Sequence, residues 1–190
     1  NLEPNVKESP GGLRDLVNIL WISGASRTGC SWKDLAEHGV ITPEEAQQIG
    51  RHERVLQDLR IRLHHHAQRR EDRLVFDLQT AVAESMGYRG SRAQRASEVL
   101  MHRYYWAAKA VTQLNQILML GIEECIAGSG AAPMRPINER FLDRGGMLEV
   151  ARDDLYVQQP HAVLETFLLF EQVPGIKGLS ARTLRALYNA

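Results

Sequence analysis

The chain has 190 residues, and its 23 lysines and arginines balance its 23 aspartates and glutamates. A net charge of zero gives no sign of a general electrostatic attraction to nucleic acid or to a membrane surface, so we expect neither as a partner. The length is enough for one sizeable core, or for one core with a small appendage, but not for two full domains. Any anion site must therefore be a local feature.

The cysteines and the hydropathy profile indicate a cytoplasmic protein. Cys30 and Cys125 are far apart in sequence, which is typical of reduced, idle thiols rather than of a disulfide scaffold. No apolar run approaches the roughly 20 residues that a membrane span needs, and no charged-then-apolar leader is present. Because the chain lacks an initiator methionine and begins inside its best motif, we expect a fragment of a longer protein.

The opening segment, residues 1–15, combines residues of restricted or free backbone conformation with charged ones. Pro10 suits the first position of a helix capped by Ser9. Gly11 and Gly12 would then leave the amides of the first turn open to an anion. The segment therefore predicts a helix start that could bind a phosphate group.

Charged and polar residues flank these predicted amides. Lys7 and Arg14 would complete a basic pocket, and Asp15 could orient an arginine or the loop itself. The alternative is an ordinary capped helix start with two solvated cations. Composition leaves both interpretations open.

Apolar residues at three- and four-residue steps predict helices along most of the chain. The capping box Thr42-Pro43-Glu44-Glu45 marks the start of the second long one. Gly145-Gly146 between two apolar runs predicts a hairpin over residues 137–151. The predicted helices cover residues 13–22, 31–38, 43–68, 75–86, 92–127 (capped by Ser91) and 160–173, with a last one capped by Ser180.

These elements predict a mainly α fold. We expect a helical bundle built around one very long helix, residues 92–127, with a small β-hairpin near residues 137–151. The helical bundle would cover residues 1–127 and residues 128–136 would be a linker. Residues 137–190 would add the hairpin and further helices that pack on the same domain.

The opening motif closely resembles a signature of a bacterial enzyme family. Residues 5–15 read Asn-x-Lys-x-x-Pro-Gly-Gly-Leu-Arg-Asp, which is similar to PII uridylyltransferase/uridylyl-removing enzymes, the GlnD family. Three further blocks resemble the family in the same order: Leu63-His64 with Arg69, Asp72-Arg73-Leu74 and Gln79 to Tyr88; Ile137-Asn138 to Phe141 with Leu148-Glu149; and Gly175-Ile176 to Thr183-Leu184-Arg185. The resemblance points to the helical region between the nucleotidyltransferase core and the HD domain.

This resemblance implies an enzyme that uses Mg²⁺ to transfer UMP from UTP to a tyrosine of the PII nitrogen-signalling protein, and that removes UMP by hydrolysis. The chain contains no Asp-x-Asp and no His-Asp doublet, and Asp153-Asp154 are adjacent, so their side chains diverge. We therefore expect no catalytic residue and no metal ligand here. Mg²⁺ would bind the missing nucleotidyltransferase core, and the isolated chain would be inactive.

Other residues invite a site interpretation less strongly. The run His64-His65-His66 lacks the three- or four-residue spacing that chelation on a helix needs, although His64 lies in a resemblance block. Arg73 could pair with Asp72 or face the nucleotide cleft. The aromatic run of residues 104–106 could stack on a base, but its helical spacing favours core and rim positions.

We therefore predict contacts to the nucleotide phosphates or to PII from Asn5, Lys7, Arg14, Asp15, His64 and Arg73. Lys7 and Arg14 would meet the triphosphate or the incoming PII loop, and Asn5 and Asp15 would fix the loop geometry. The whole enzyme's partners would be UTP, PII and its own nucleotidyltransferase and HD domains. The alternatives are a glutamine synthetase adenylyltransferase-like enzyme and a non-catalytic helical interaction domain. Convergence of Lys7 and Arg14 on one concave surface would distinguish the enzyme from the interaction domain.

Overall fold

The computed structural model describes residues 2–126 and 132–190, with Cys125 and Ile126 described by their backbone alone. Helices dominate these ranges and one small sheet accompanies them, which confirms the prediction of a mainly α fold with a small β element. The chain forms two compact units, residues 1–115 and 116–190. The predicted domain ranges stay a prediction. Residues 128–131 of the predicted linker lie outside the described residues, and Met134–Pro136 at its end form a strand.

The N-terminal unit contains four helices and the first part of a fifth. Their starts follow local capping: Ser31 Oγ accepts from the Asp34 amide, and Thr42 and Glu45 form the predicted capping box. These two helix starts are confirmed. The helices are α1 (Leu13–Ala25), α2 (Trp32–Glu37), α3 (Pro43–Ala67), α4 (Phe76–Ser85) and α5 (Ala96–Ile126).

The start of α5 differs from the prediction. Ser91 Oγ accepts from the amides of Ala93 and Gln94, so it closes a turn before the helix rather than capping the helix itself. The helix begins at Ala96 and has 31 residues, which corresponds to roughly 46 Å at 1.5 Å per residue.

One face of α3 lies in the core of the N-terminal unit. Ile49, Leu56, Leu59 and Leu63 are all buried, while His52 is half-buried and burial lowers its pKa. They pack with buried residues from the other helices and from the loops of the unit, among them Val6, Leu16, Leu74, Val82, Leu100, Tyr104 and Val111.

The first residues of the chain are tied to the segment between α3 and α4. Asn5 and Arg73 form an antiparallel bridge, and the Leu74 amide donates to the Pro4 carbonyl at 2.9 Å. The buried Gln79 side chain donates to the carbonyls of Leu2 and Leu74, at 3.1 and 3.0 Å. The opening segment is thus anchored from two sides, which positions the loop before α1.

The C-terminal unit contains a four-stranded sheet in the order β1-β2-β3-β4. The predicted hairpin is present, because β2 and β3 pair antiparallel across Gly145 and Gly146, whose φ angles are +61° and +88°. The sequence interpretation missed β1 and β4, which have three and two residues. The strands are β1 (Met134–Pro136), β2 (Phe141–Arg144), β3 (Met147–Val150) and β4 (Gly178–Leu179).

Three helices complete this unit: α6 (Leu155–Gln158), α7 (Ala162–Gln172) and α8 (Ala181–Tyr188). Ser180 caps α8 as predicted, by accepting from the Thr183 amide. The buried Thr183 hydroxyl donates to the Leu148 carbonyl at 2.8 Å and accepts from the Val150 amide at 3.0 Å, which joins α8 to β3. Across both described ranges, no helix combines the length and apolar character needed to cross a membrane.

Candidate functional site

Two side chains hold the loop before α1. Asn5 Oδ1 accepts from the amides of Lys7 and Glu8, at 3.0 and 2.8 Å, which is an Asx turn. Asp15 Oδ2 accepts from the Gly11 amide at 2.7 Å. Asn5 and Asp15 therefore stabilise the loop from its two ends.

The predicted helix start at Ser9 and Pro10 is wrong. The helix begins at Leu13 with Gly12 as its N-cap, and Ser9 Oγ accepts from the Asn5 amide instead. The reason is Gly11, whose φ of +79° cannot belong to a right-handed helix. The chain therefore turns at Gly11 before the helix starts.

The amides of this start are not open to an anion either. Each donates inside the loop: Gly11 to the Asp15 carboxylate, and then Gly12 to the Ser9 carbonyl, Leu13 to Val6, Arg14 to Lys7 and Asp15 to Gly12. The prediction of an amide-lined pocket is wrong, because the loop satisfies its own donors. Within residues 5–15, the cationic groups that remain to meet an anion are the side chains of Lys7 and Arg14.

Lys7 and Arg14 both line one groove beside α1 and α3. Its volume is about 600 Å³. The two cations therefore converge on one concave surface rather than pointing apart. The residues that line the groove are Lys7, Leu13, Arg14, Val17, Asn18, Trp21, Glu53, Gln57 and Arg60.

The cations of this groove differ in their partners. The Lys7 side chain forms no ion pair with any carboxylate among residues 2–126 and 132–190, although the residue is half-buried. Arg14 Nη2 lies 2.8 Å from Glu8 Oε1, and about half of each side chain is exposed. An exposed pair of this kind is weak, so Arg14 can exchange Glu8 for another anion at little cost.

Arg60 belongs to a tighter network. Its Nε and Nη2 donate to the two oxygens of Asp72, at 2.6 and 3.3 Å, and His64 Nε2 lies 2.9 Å from Asp72 Oδ1. The bond from Arg60, aided by the bond from His64, holds the pKa of the Asp72 carboxyl below its ordinary value against the opposing effect of burial. Arg60 and His64 share a smaller hollow of about 230 Å³ with Leu13, Gln57 and Ile61.

The structure brings some of the six predicted site residues together. Lys7 and Arg14 line the groove, and His64 lines the smaller hollow. Arg60 lines both cavities, so the two adjoin. Asn5 and Asp15 support the loop that carries Lys7. Arg73 is exposed and lies outside the lining of both cavities, next to Asn5 on the antiparallel bridge.

Sequence reasoning missed Arg60 and Trp21. Arg60 is one of seven arginines among residues 51–73, a pattern typical of a solvated helix face, and Trp21 falls in the apolar periodicity of residues 13–22. Trp21 is in fact 74% exposed and lines the groove. No local signal separates these residues from their neighbours, because the pairing of α1 with α3 brings them to one surface.

The Asp72 network leads to a pH-dependent prediction. A depressed folded pKa contributes stability that is present above the unfolded pKa, about 3.9, and is lost as pH falls through the folded pKa. We expect Asp72→Asn to lower the melting temperature at pH 7, and the gap from the wild type to close as pH falls below 4. Asp58→Asn, which breaks a half-exposed pair with Arg62 on α3, should change little. A gap for Asp72→Asn that stays constant down to pH 2.5 would contradict this account.

The described part of the chain holds no group of three or more His, Cys, Asp or Glu side chains that could bind a metal ion. Asp153 and Asp154 pair with different arginines, Arg182 at 2.6 Å and Arg152 at 3.0 Å. Both carboxylates are therefore engaged with arginines, and the described residues offer no donor set that fits Mg²⁺.

A sequence model described as GlnD PII-uridylyltransferase matches residues 1–119, and a second, described as the uridylyltransferase GlnD third domain, matches residues 141–190. The chain therefore belongs to the GlnD PII-uridylyltransferase family, which confirms the resemblance.

Curated relatives agree with this assignment. The chain is 62% identical over 189 residues to a bifunctional uridylyltransferase/uridylyl-removing enzyme of Cupriavidus metallidurans, and 57% identical over 191 residues to one of Burkholderia thailandensis. Each match covers all of this chain and 22% of the relative, so the chain spans about a fifth of their length. No solved structure matches the chain significantly.

Proposed function

We propose that this chain is part of a cytoplasmic enzyme that transfers UMP from UTP to a tyrosine of PII and removes it by hydrolysis. In that enzyme the groove with Lys7 and Arg14 contacts the triphosphate. One observation carries the proposal: two cations converge on one groove, and the half-buried Lys7 has no carboxylate partner in the described ranges. The relatives' names support the reaction.

The charges suit a phosphate chain. A lysine acts as a compact point charge, while an arginine can donate two parallel bonds to phosphate oxygens. A triphosphate oxygen would replace Glu8 at Arg14, and the Asx turn at Asn5 holds the backbone that carries Lys7. Mg²⁺ would be held outside this chain, by the nucleotidyltransferase core of the same protein, and would orient the triphosphate there.

In this proposal, α5 is the central helix of the bundle and supports the loop before α1. Leu100, Tyr104 and Val111 of α5 are in the buried core of the N-terminal unit, and the loop glycine Gly11 packs on the backbone of Ala108. A rigid helix beneath the loop would keep Lys7 and Arg14 in place during transfer.

Alternative functions fit these observations less well. A non-catalytic interaction domain has no need for two cations on one groove. A glutamine synthetase adenylyltransferase-like activity lacks support from the relatives reported above, which carry the uridylyltransferase name. The main alternative is that Lys7 and Arg14 contact the PII loop and not UTP. In that case their substitution would raise the KM for PII and leave the KM for UTP unchanged.

The test is Lys7→Ala in the full-length enzyme. We expect the KM for UTP to rise about tenfold or more, since a charge-assisted hydrogen bond contributes about 1.5 to 3 kcal/mol. Lys109→Ala is the matched control, because that lysine is exposed on α5 beside Trp106 and lies outside the groove. Steady-state uridylylation at varied UTP and varied PII measures both constants. A change in the KM for PII alone would assign the groove to the protein substrate.

A further inference from the structure

Trp21 is the tryptophan that the fold leaves without a partner among the described residues. Trp32 donates from its indole nitrogen to Glu53 at 2.8 Å. Trp106 donates to His102 at 2.9 Å and has the Lys109 ammonium 5.9 Å from its ring centre. Trp21 has no hydrogen bond and no ring contact with any residue of 2–126 or 132–190, and it is 74% exposed.

The surroundings of Trp21 are open on two sides. It lines the groove with Lys7 and Arg14, and it also lines a second hollow of about 440 Å³ with Val17, Leu20, Gly24 and Cys30. An indole carries a large apolar surface, so its exposure is unfavourable unless something packs on it. Trp21 therefore presents an exposed indole face at the edge of the groove.

The geometry of α1 relates the indole to the cations. Arg14, Val17, Asn18 and Trp21 recur at three- and four-residue steps and all line the groove, so they follow one face of the helix. Arg14 and Trp21 are seven residues apart, which corresponds to about 10 Å along the helix axis. That distance is comparable to the reach from a nucleobase to the terminal phosphates of an extended nucleoside triphosphate.

From this arrangement we infer that Trp21 stacks on the base of the nucleoside triphosphate whose phosphates lie at Lys7 and Arg14. The inference rests on the proposed function. A nucleotide has an anionic end and a flat apolar end, and the groove offers cations and an indole in the same order. Every nucleobase presents a π-face, so the stack contributes affinity for the base without selecting among bases.

The aromatic residues 104–106, which could also stack on a base, do not line the groove. Tyr104 is buried in the core, and neither Tyr105 nor Trp106 lines the groove. Trp21 is the aromatic residue among those that line it.

The experiment measures binding of UTP, CTP and inorganic tripolyphosphate to the full-length protein by calorimetry with Mg²⁺ present. Trp21→Leu removes the ring, Trp21→Phe keeps a smaller one, and Trp106→Leu is the control at an exposed tryptophan outside the groove. We expect Trp21→Leu to weaken UTP and CTP about tenfold, Trp21→Phe to restore most of that loss, and tripolyphosphate binding to stay unchanged. Trp106→Leu should leave all three ligands unaffected.

Lys7→Ala separates the two proposals, because it should weaken tripolyphosphate and UTP together. If Lys7→Ala weakens both but Trp21→Leu weakens neither nucleotide, the stack is refuted while the phosphate groove stands. If Trp21→Leu weakens tripolyphosphate as much as UTP, or lowers the melting temperature strongly, Trp21 is structural and the inference is overturned. The uridylylation assay at varied PII gives a further outcome. If Trp21→Leu leaves nucleotide binding unchanged and raises only the KM for PII in that assay, the indole contacts the protein substrate and the inference is again overturned.

Discussion

Gly11→Ala is expected to destabilise the chain by more than about 4 kcal/mol, a size reserved for severe steric or burial faults. A β-carbon at this position would lie 2.0 Å from the Ala108 carbonyl oxygen and 2.6 Å from its carbon, both backbone atoms of α5. The φ of +79° adds the strain of a left-handed conformation. Relief requires the loop to leave α5, so urea unfolding of the 190-residue chain should show a much lower midpoint.

Gly39→Ala is the matched control. Gly39 also has a positive φ, +71°, but a β-carbon there would meet nothing within 4 Å. Its cost should be the conformational strain alone, about 1 to 2 kcal/mol. The difference between the two variants therefore isolates the clash with α5. Equal effects of both substitutions would show that the loop does not pack on Ala108 as described.

Arg14→Ala in the full-length enzyme is expected to lower the rate of UMP transfer ten- to a hundredfold. The substitution would remove the proposed charge-assisted contact with the triphosphate, which would contribute about 1.5 to 3 kcal/mol. The melting temperature should barely change, because Arg14 is about half exposed and its pair with Glu8 is a surface pair. Under the proposed function, removal of UMP from modified PII should fall far less, since the family resemblance implies that this hydrolysis takes place in the HD domain.

Glu8→Gln provides the complementary control. It removes the carboxylate that Arg14 binds in the structure and keeps the arginine, so transfer should not fall. Both rates and the melting temperature are measured on the same preparations. Loss of transfer and removal together with a large fall in melting temperature would mean that Arg14 is structural. Unchanged transfer at low and at saturating UTP would mean that Arg14 is simply solvated.

Local rules predicted the elements whose ends depend on neighbouring residues. The capping box at Thr42, the cap at Ser180 and the turn at Gly145-Gly146 are each defined within about four residues, and each is present. Local patterns did not predict the two shortest strands, β1 and β4. β4 has two residues and pairs in parallel with β3, about 30 residues earlier, so no local pattern marks it.

The start of α1 shows where a local rule failed. Ser9-Pro10 is a good helix start on propensity, but two contacts overrule it. Gly11 adopts a left-handed conformation so that its backbone can lie against Ala108, and Asp15 reaches back to the Gly11 amide. The first of these contacts joins residues almost a hundred positions apart. At this position, tertiary packing therefore overrides the local helix propensity of Ser9-Pro10.

The candidate site was predictable in its sequence motif and not in its spatial neighbours. Lys7 and Arg14 were identified from the opening segment, and they do share a groove. Arg60 and Trp21 join that groove only because α1 packs beside α3. The prediction of an amide-lined pocket was wrong because the same glycines occur in phosphate-binding loops and in turns whose amides donate to groups of the turn itself.

A crystal structure of the full-length protein with Mg²⁺ and a non-hydrolysable UTP analogue would show directly where the triphosphate binds. We expect Lys7 Nζ and an Arg14 guanidinium nitrogen to lie about 2.7 to 3.2 Å from phosphate oxygens, with the Glu8 pair released. A triphosphate bound elsewhere, with the groove at Lys7 and Arg14 filled by another part of the protein, would contradict this expectation.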